Sequence, residues 1–256
     1  MSNDSIETWE VNGYVVNLYY DDHPESPREW SIFGTITCWH RRYTIGDKHN
    51  FADSDALFES LIPKKEWDIL DARHDRAIDR AWADFGSCLD DRWAAAQRSA
   101  DRAFKEGLAT AAERHAVILP VYMYDHSGIA LSTGGFFCPA DSGQIGYVWA
   151  SRDTILKEWS RKKLTKKLRA KAEKVLKQEV ETLSQYHEGQ VYGFVVETPD
   201  GDHVHSCWGI YGFDYAKEEA TATANGQPTW VPEDDQRGDL PGPEPFAGGD
   251  TIATPA

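Results

Sequence analysis

The chain has 256 residues, a formal net charge of -15, ten tryptophans and four cysteines. That length suffices to bury a substantial core. The negative balance disfavours non-specific attraction of the chain as a whole to nucleic acid or anionic membrane. No run of about 18 apolar residues exists to span a bilayer, the polar start resembles no secretory leader, and Cys38, Cys88, Cys138 and Cys207 form no CxxC pair. A reduced, cytoplasmic protein with no membrane partner is the expectation.

In chain order, residues 1–12 read as a flexible lead-in, followed by a β-rich run at Tyr14–Tyr20 closed by Asp21-Asp22-His23-Pro24. A second strand is expected over 32–39, able to pair with the first. Ser54 is placed as N-cap of a short helix ending near Leu61. Beyond Pro63, residues Trp67, Leu70, His74, Ile78, Trp82, Phe85 and onward to Leu108 recur at steps of three or four. This stripe predicts a helical arm at about 64–115, one helix or a hairpin split at Gly86, with Gly107 as a possible end.

The stretch Ile118–Ala150 carries three expected strands, at 117–124, 129–131 and 145–149, separated by Asp/Ser/Gly turns. Ser151 can cap a helix, and after an interruption at 160–165 a second amphipathic helix runs on. A hairpin follows, with strands at 191–198 and 203–211 around Pro199-Asp200-Gly201-Asp202. Six or seven strands with inserted helices predict an α+β fold with one largely antiparallel sheet. The expected organisation is a single α+β domain over 13–222 and a disordered Pro/Gly/acidic tail over 223–256.

Four constellations can carry chemistry. Asp125, His126 and Asp141 are candidate catalytic residues, with His126 as a base oriented by Asp141 or Asp47; a turn satisfying its own backbone is the competing reading. Cys138 lacks a neighbour in sequence that would activate it. His40, Arg41 and Arg42 suit forked recognition of phosphate or carboxylate, or else solvation. His203, His205 and Cys207 alternate on an expected strand and are zinc-type ligands, though zinc-finger spacings are absent and no cofactor is required. Finally, 157–177 holds ten basic against two acidic side chains, a local +8 that leaves -23 for the remainder. Lys162, Lys163, Lys166 and Lys167 are its candidate phosphate contacts. Trp159 is the sole aromatic there, so composition lends single-strand recognition little support.

Several pieces resemble an uncharacterised family of proteins encoded by phages and other mobile elements. They are Ser26-Pro27-Arg28-Glu29-Trp30, His40-Arg41-Arg42-Tyr43 with Gly46-Asp47, and Leu119-Pro120-Val121-Tyr122-Met123-Tyr124-Asp125-His126-Ser127-Gly128. Cys138-Pro139 with Asp141-Ser142-Gly143-Gln144, Val191-Tyr192-Gly193-Phe194 and Ser206-Cys207-Trp208-Gly209 continue the likeness; Ala140 departs from it, standing where the pattern suggests Trp. The resemblance implies an origin inside a host cell and brings no reaction with it. The function expected is an accessory factor binding a host protein or nucleic acid, with metal-assisted phosphoester hydrolysis as the alternative and the oligomeric state open.

Overall fold

The structure, a computed structural model, describes residues 4–30, 32–86 and 91–231. Cys88 and the tail beyond residue 231 lie outside the described residues. The fold is α+β, and its strands form two antiparallel sheets of four rather than one larger sheet. The described residues divide into two compact units, one built from 4–20 and 192–231, the other from those within 21–191.

In the first unit the sheet order is β1 (Glu7–Val11), β2 (Tyr14–Tyr20), β7 (Val191–Glu197), β8 (His203–Tyr211). The β1 strand corrects the expected lead-in, which takes in residues that pair with β2 from Glu7 onward. Tyr14, Val16 and Leu18 of β2 share a face with Tyr192, Phe194 and Val196 of β7, as the two-residue period requires. Helix α6 (Phe213–Asn225) covers that face with Ala216, Ala220 and Ala224, whose small side chains allow close approach. Disorder from residue 223 is a second correction. The helix runs through Asn225, Asn12 Nδ2 donates to the Gln227 carbonyl at 2.8 Å, and the Tyr14 hydroxyl donates to the Pro228 carbonyl at 2.8 Å.

The second unit is a helix–sheet–helix sandwich. Its sheet order is β3 (Thr35–Cys38), β6 (Ser142–Ser151), β4 (Ala116–Asp125), β5 (Ile129–Ser132). The strand of the expected 32–39 run therefore pairs with β6 and not with β2. On one face α5 (Lys166–His187) buries Leu168, Ala172, Leu176, Val180 and Leu183 against Val117, Val121 and Val148. The other face, bearing Ile118, Tyr147 and Trp149, is covered by α1 (Ser54–Leu61) and α3 (Asp91–His115). A strand buried on both sides needs apolar residues at nearly every position, which explains the unbroken Ala116–Met123 run.

The helical arm is a pair, α2 (Lys64–Phe85) packed against α3. Gly86 stops α2 in a left-handed conformation (φ 61°), which costs glycine no Cβ clash. Gly107 does not end α3, and Asp53 rather than Ser54 caps α1, accepting from the Ala56 N–H at 2.9 Å. At the edge of this unit Arg28 forks onto Asp47 and donates to the Gly34 carbonyl at 2.9 Å, with Glu179 3.6 Å away. Glu179 in turn accepts from the Phe33 and Gly34 N–H groups.

Candidate functional site

A recess of the second unit lies where α4 (Arg152–Glu158) turns into α5. Ser151 caps α4, accepting from the Thr154 N–H at 3.1 Å, and the helix closes on Trp159. Ser160 takes a left-handed conformation (φ 49°), and the Arg161 N–H reaches back to the Leu156 carbonyl at 2.8 Å. Thr165 then caps α5 through the Leu168 N–H. This reversal leaves a hollow of about 770 Å³ lined by Trp159 together with Arg161, Lys163, Lys167, Lys171 and Lys174.

The stripe of α5 that packs on the sheet dictates what the outer face carries. Lys167, Lys171 and Lys174 stand at i, i+4 and i+7 and so share one side of the helix. Lys171 Nζ lies over the Trp159 ring, 4.9 Å from its centroid, and the Phe33 ring packs against the indole at the same distance with a 54° tilt. Acidic residues are absent from the described lining of the hollow. Among the described residues, none of these five cations has a carboxylate within 4 Å. The first turn of α5 also lacks an acid, although helix N-termini favour negative charge. Arg169 differs, since it donates to the Ala116 carbonyl at 2.8 Å and ties the helix to β4. Lys162 and Lys166 are exposed beside the hollow without lining it. The i, i+4, i+7 spacing is the readable signal for Lys171 and Lys174; the placing of Trp159 beside them depends on the turn at Ser160.

The polar loops gather at the far ends of β4 and β6. The Asp125 N–H donates to the Asp141 carbonyl at 2.9 Å, and the Ser142 hydroxyl closes the 138–142 turn on the Cys138 carbonyl at 2.6 Å. His126 Nδ1 lies 3.8 Å from Asp141 Oδ2, and the Cys138 thiol donates to that same oxygen at 3.3 Å. Arg42 reaches Asp125 at 3.8 Å across the surface. His40 Nδ1 is occupied by the Arg42 and Tyr43 N–H groups, and its ring stacks on Tyr43. His40 thus holds the loop that presents Arg42, while Arg41 is exposed. Asp47 faces Arg28 and the Ile36 N–H, leaving Asp141 as the carboxylate beside His126. The cluster is open, with His126 at 66% and Arg42 at 75% side-chain exposure. Its thiol is directed to the carboxylate rather than to the imidazole, so the contacts do not form a thiol–imidazole relay.

In the first unit, His203, His205 and Cys207 lie on β8, whose alternation is broken. Residues 205–209 are all exposed and Gly209 has φ 75°. The His205 ring stacks near Phe194, and the Cys207 thiol is directed to the Trp208 carbonyl. Among the described residues, no three His, Cys, Asp or Glu side chains are grouped to hold a metal ion, on β8 or elsewhere. Among the described residues, too, no helix is long and apolar enough to cross a membrane.

Comparison with known protein families, with curated proteins and with solved structures finds no match to this chain.

Proposed function

We propose that this chain is an accessory binding protein whose partner is nucleic acid, held through its phosphates by the α4–α5 hollow. The observation that carries this is the convergence of Arg161, Lys163, Lys167, Lys171 and Lys174 on one recess, with no carboxylate within 4 Å of them among the described residues. Unneutralised cations beside a helix N-terminus repel one another and the positive end of the helix dipole, and a phosphate backbone relieves both. The overall charge of -15 does not oppose this strongly. At physiological salt the screening length is about 8 Å, so distant carboxylates act weakly on a ligand in contact with the lysines.

Phosphoester hydrolysis rests on the 3.8 Å approach of His126 to Asp141, and nothing in that open cluster favours it over binding. Phosphate contacts make affinity fall with salt in proportion to the ions released. Titrating a labelled oligonucleotide at several salt concentrations therefore tests the proposal. Replacing Lys163, Lys167, Lys171 and Lys174 by Gln reduces the slope of log K against log salt by about 3 for a single strand (roughly 0.7 per contact). Replacing Lys64 and Lys65, on α2, leaves it unchanged. An unaltered slope in the fourfold variant refutes the proposal, and polyglutamate competing as well as the oligonucleotide reassigns the hollow to an acidic protein.

A further inference from the structure

Resting on the nucleic-acid reading, we infer that the hollow receives one unpaired nucleotide, its base against Trp159 and its phosphate among Lys163, Lys167, Lys171 and Lys174. The recess, at about 770 Å³, is of the size that takes small ligands, roughly 300–1,000 Å³. A base inside a duplex is stacked on both faces and has none free to enter it. A duplex would meet the lysines through its backbone alone.

The chemistry of the lining is that of a nucleotide divided into its parts. Trp159 supplies a flat π-surface that accepts any base. The Phe33 ring packed against it holds the indole in place. The group lying over that indole is the flexible lysine Lys171, 4.9 Å from the ring centroid. Its ammonium is a cation in want of an anion, and swinging onto a phosphate frees the ring for the base without breaking an ion pair. Lys167 and Lys174 flank Lys171 on the same side of α5, each one helical step from it, so a phosphate taken up by Lys171 lies between two further cations of the lining. The Thr165 oxygen accepts from the Leu168 N–H, and its hydroxyl proton remains available to donate. A single aromatic in a basic segment is weak evidence for stacking along a strand. Set in a recess lined by lysines, it offers a surface for one base.

The test compares three labelled probes on the full chain by fluorescence anisotropy: an oligothymidylate of about twelve nucleotides, the same backbone with abasic sites, and a duplex of equal length. The expected order places the oligothymidylate tightest. Trp159→Leu weakens it about 5- to 150-fold, the contribution of one stacked base, and leaves duplex affinity and the salt slope unchanged. Trp159→Phe retains most of the affinity, which guards against a variant that merely unfolds, and the abasic probe on the unaltered protein needs no variant at all. Equal, salt-dependent binding of all three probes overturns the stacked nucleotide while the phosphate contacts stand. Absence of salt-dependent binding by any probe, with the four-lysine variant indistinguishable, overturns both.

Discussion

The Arg28 clasp offers the sharpest test of how the second unit is held together. Arg28, 9% exposed at its side chain, donates Nε to Asp47 Oδ1 at 2.9 Å and Nη2 to both Asp47 and the Gly34 carbonyl, and approaches Glu179 at 3.6 Å. Arg28→Met leaves two largely buried carboxylates and a carbonyl without their cation. Breaking a buried pair from one side costs about 3–5 kcal/mol, because the abandoned charge stays desolvated. That is a large part of the 5–15 kcal/mol typical of a whole domain. Five of the six described α-helices belong to this unit, so urea unfolding followed by far-UV circular dichroism reports on it. With a slope of roughly 2–3 kcal/mol per molar, the midpoint falls by about 1–2.5 M. Asp47→Asn combined with Arg28→Met costs less than the two separately, since they share one interaction. The pH dependence has a definite sign. Burial pushes the Glu179 carboxyl up, while the Phe33 and Gly34 N–H groups and Arg28 pull it down. Removing Arg28 raises it further. A group raised in the folded state contributes fully below its unfolded value and loses that contribution as pH rises through the folded one. The variant is therefore least impaired in acid and increasingly impaired towards neutrality. A midpoint shift under about 0.3 M at neutral pH, below roughly 1 kcal/mol, refutes this account of the clasp.

Two further predictions concern the same sheet. A Cβ at Gly146 would lie 2.1 Å from the Thr37 carbonyl oxygen and 2.7 Å from the Cys38 Cα, both backbone atoms of the paired strand β3. Gly146→Ala therefore costs about 1–3 kcal/mol by forcing β3 away, whereas Gly143→Ala, with nothing within 4 Å of its Cβ, stays within about 0.5 kcal/mol; equal melting temperatures for the two would dispose of the argument. Burial, with Asp47 adding to it, pushes the Cys38 thiol up to about 12. At pH 8 a thiol-labelling reagent followed by peptide mapping should find exposed Cys207 modified in the native protein and Cys38 only after denaturation. Labelling of both at similar rates would contradict the packing described.

What the sequence made legible was local. The hairpin at Pro199–Asp202 is fixed by neighbours a few residues apart: Gly201, at φ 90°, donates its N–H to the Thr198 carbonyl. The α2 and α5 stripes are equally local, because 3.6-residue periodicity needs no partner to be visible. Strand partnership is not local. Period-two patterning announces β2 and β3 as strands, but nothing in it says that β2 joins β7, or β3 joins β6, across more than a hundred residues. The candidate sites divide in the same way. Asp125, His126 and Asp141 approach because β4 and β6 are adjacent, and the strands around them could be read. His40 holds its own loop through Nδ1, which accepts from two backbone N–H groups that no composition reveals. Trp159 stands isolated in the sequence and comes to line a recess only where Ser160 reverses the chain.

The pairing of Tyr20 with Tyr192 in neighbouring strands has a consequence for the order of assembly. Joining β2 to β7 closes a loop of roughly 170 residues, an entropic cost of about 4–5 kcal/mol if that loop is a free coil. A middle segment already folded removes that cost, because its own first and last residues meet where the Asp21 N–H bonds the Val191 carbonyl at 2.9 Å. A lesion that unfolds the middle segment therefore restores that closure cost to the β2–β7 pairing.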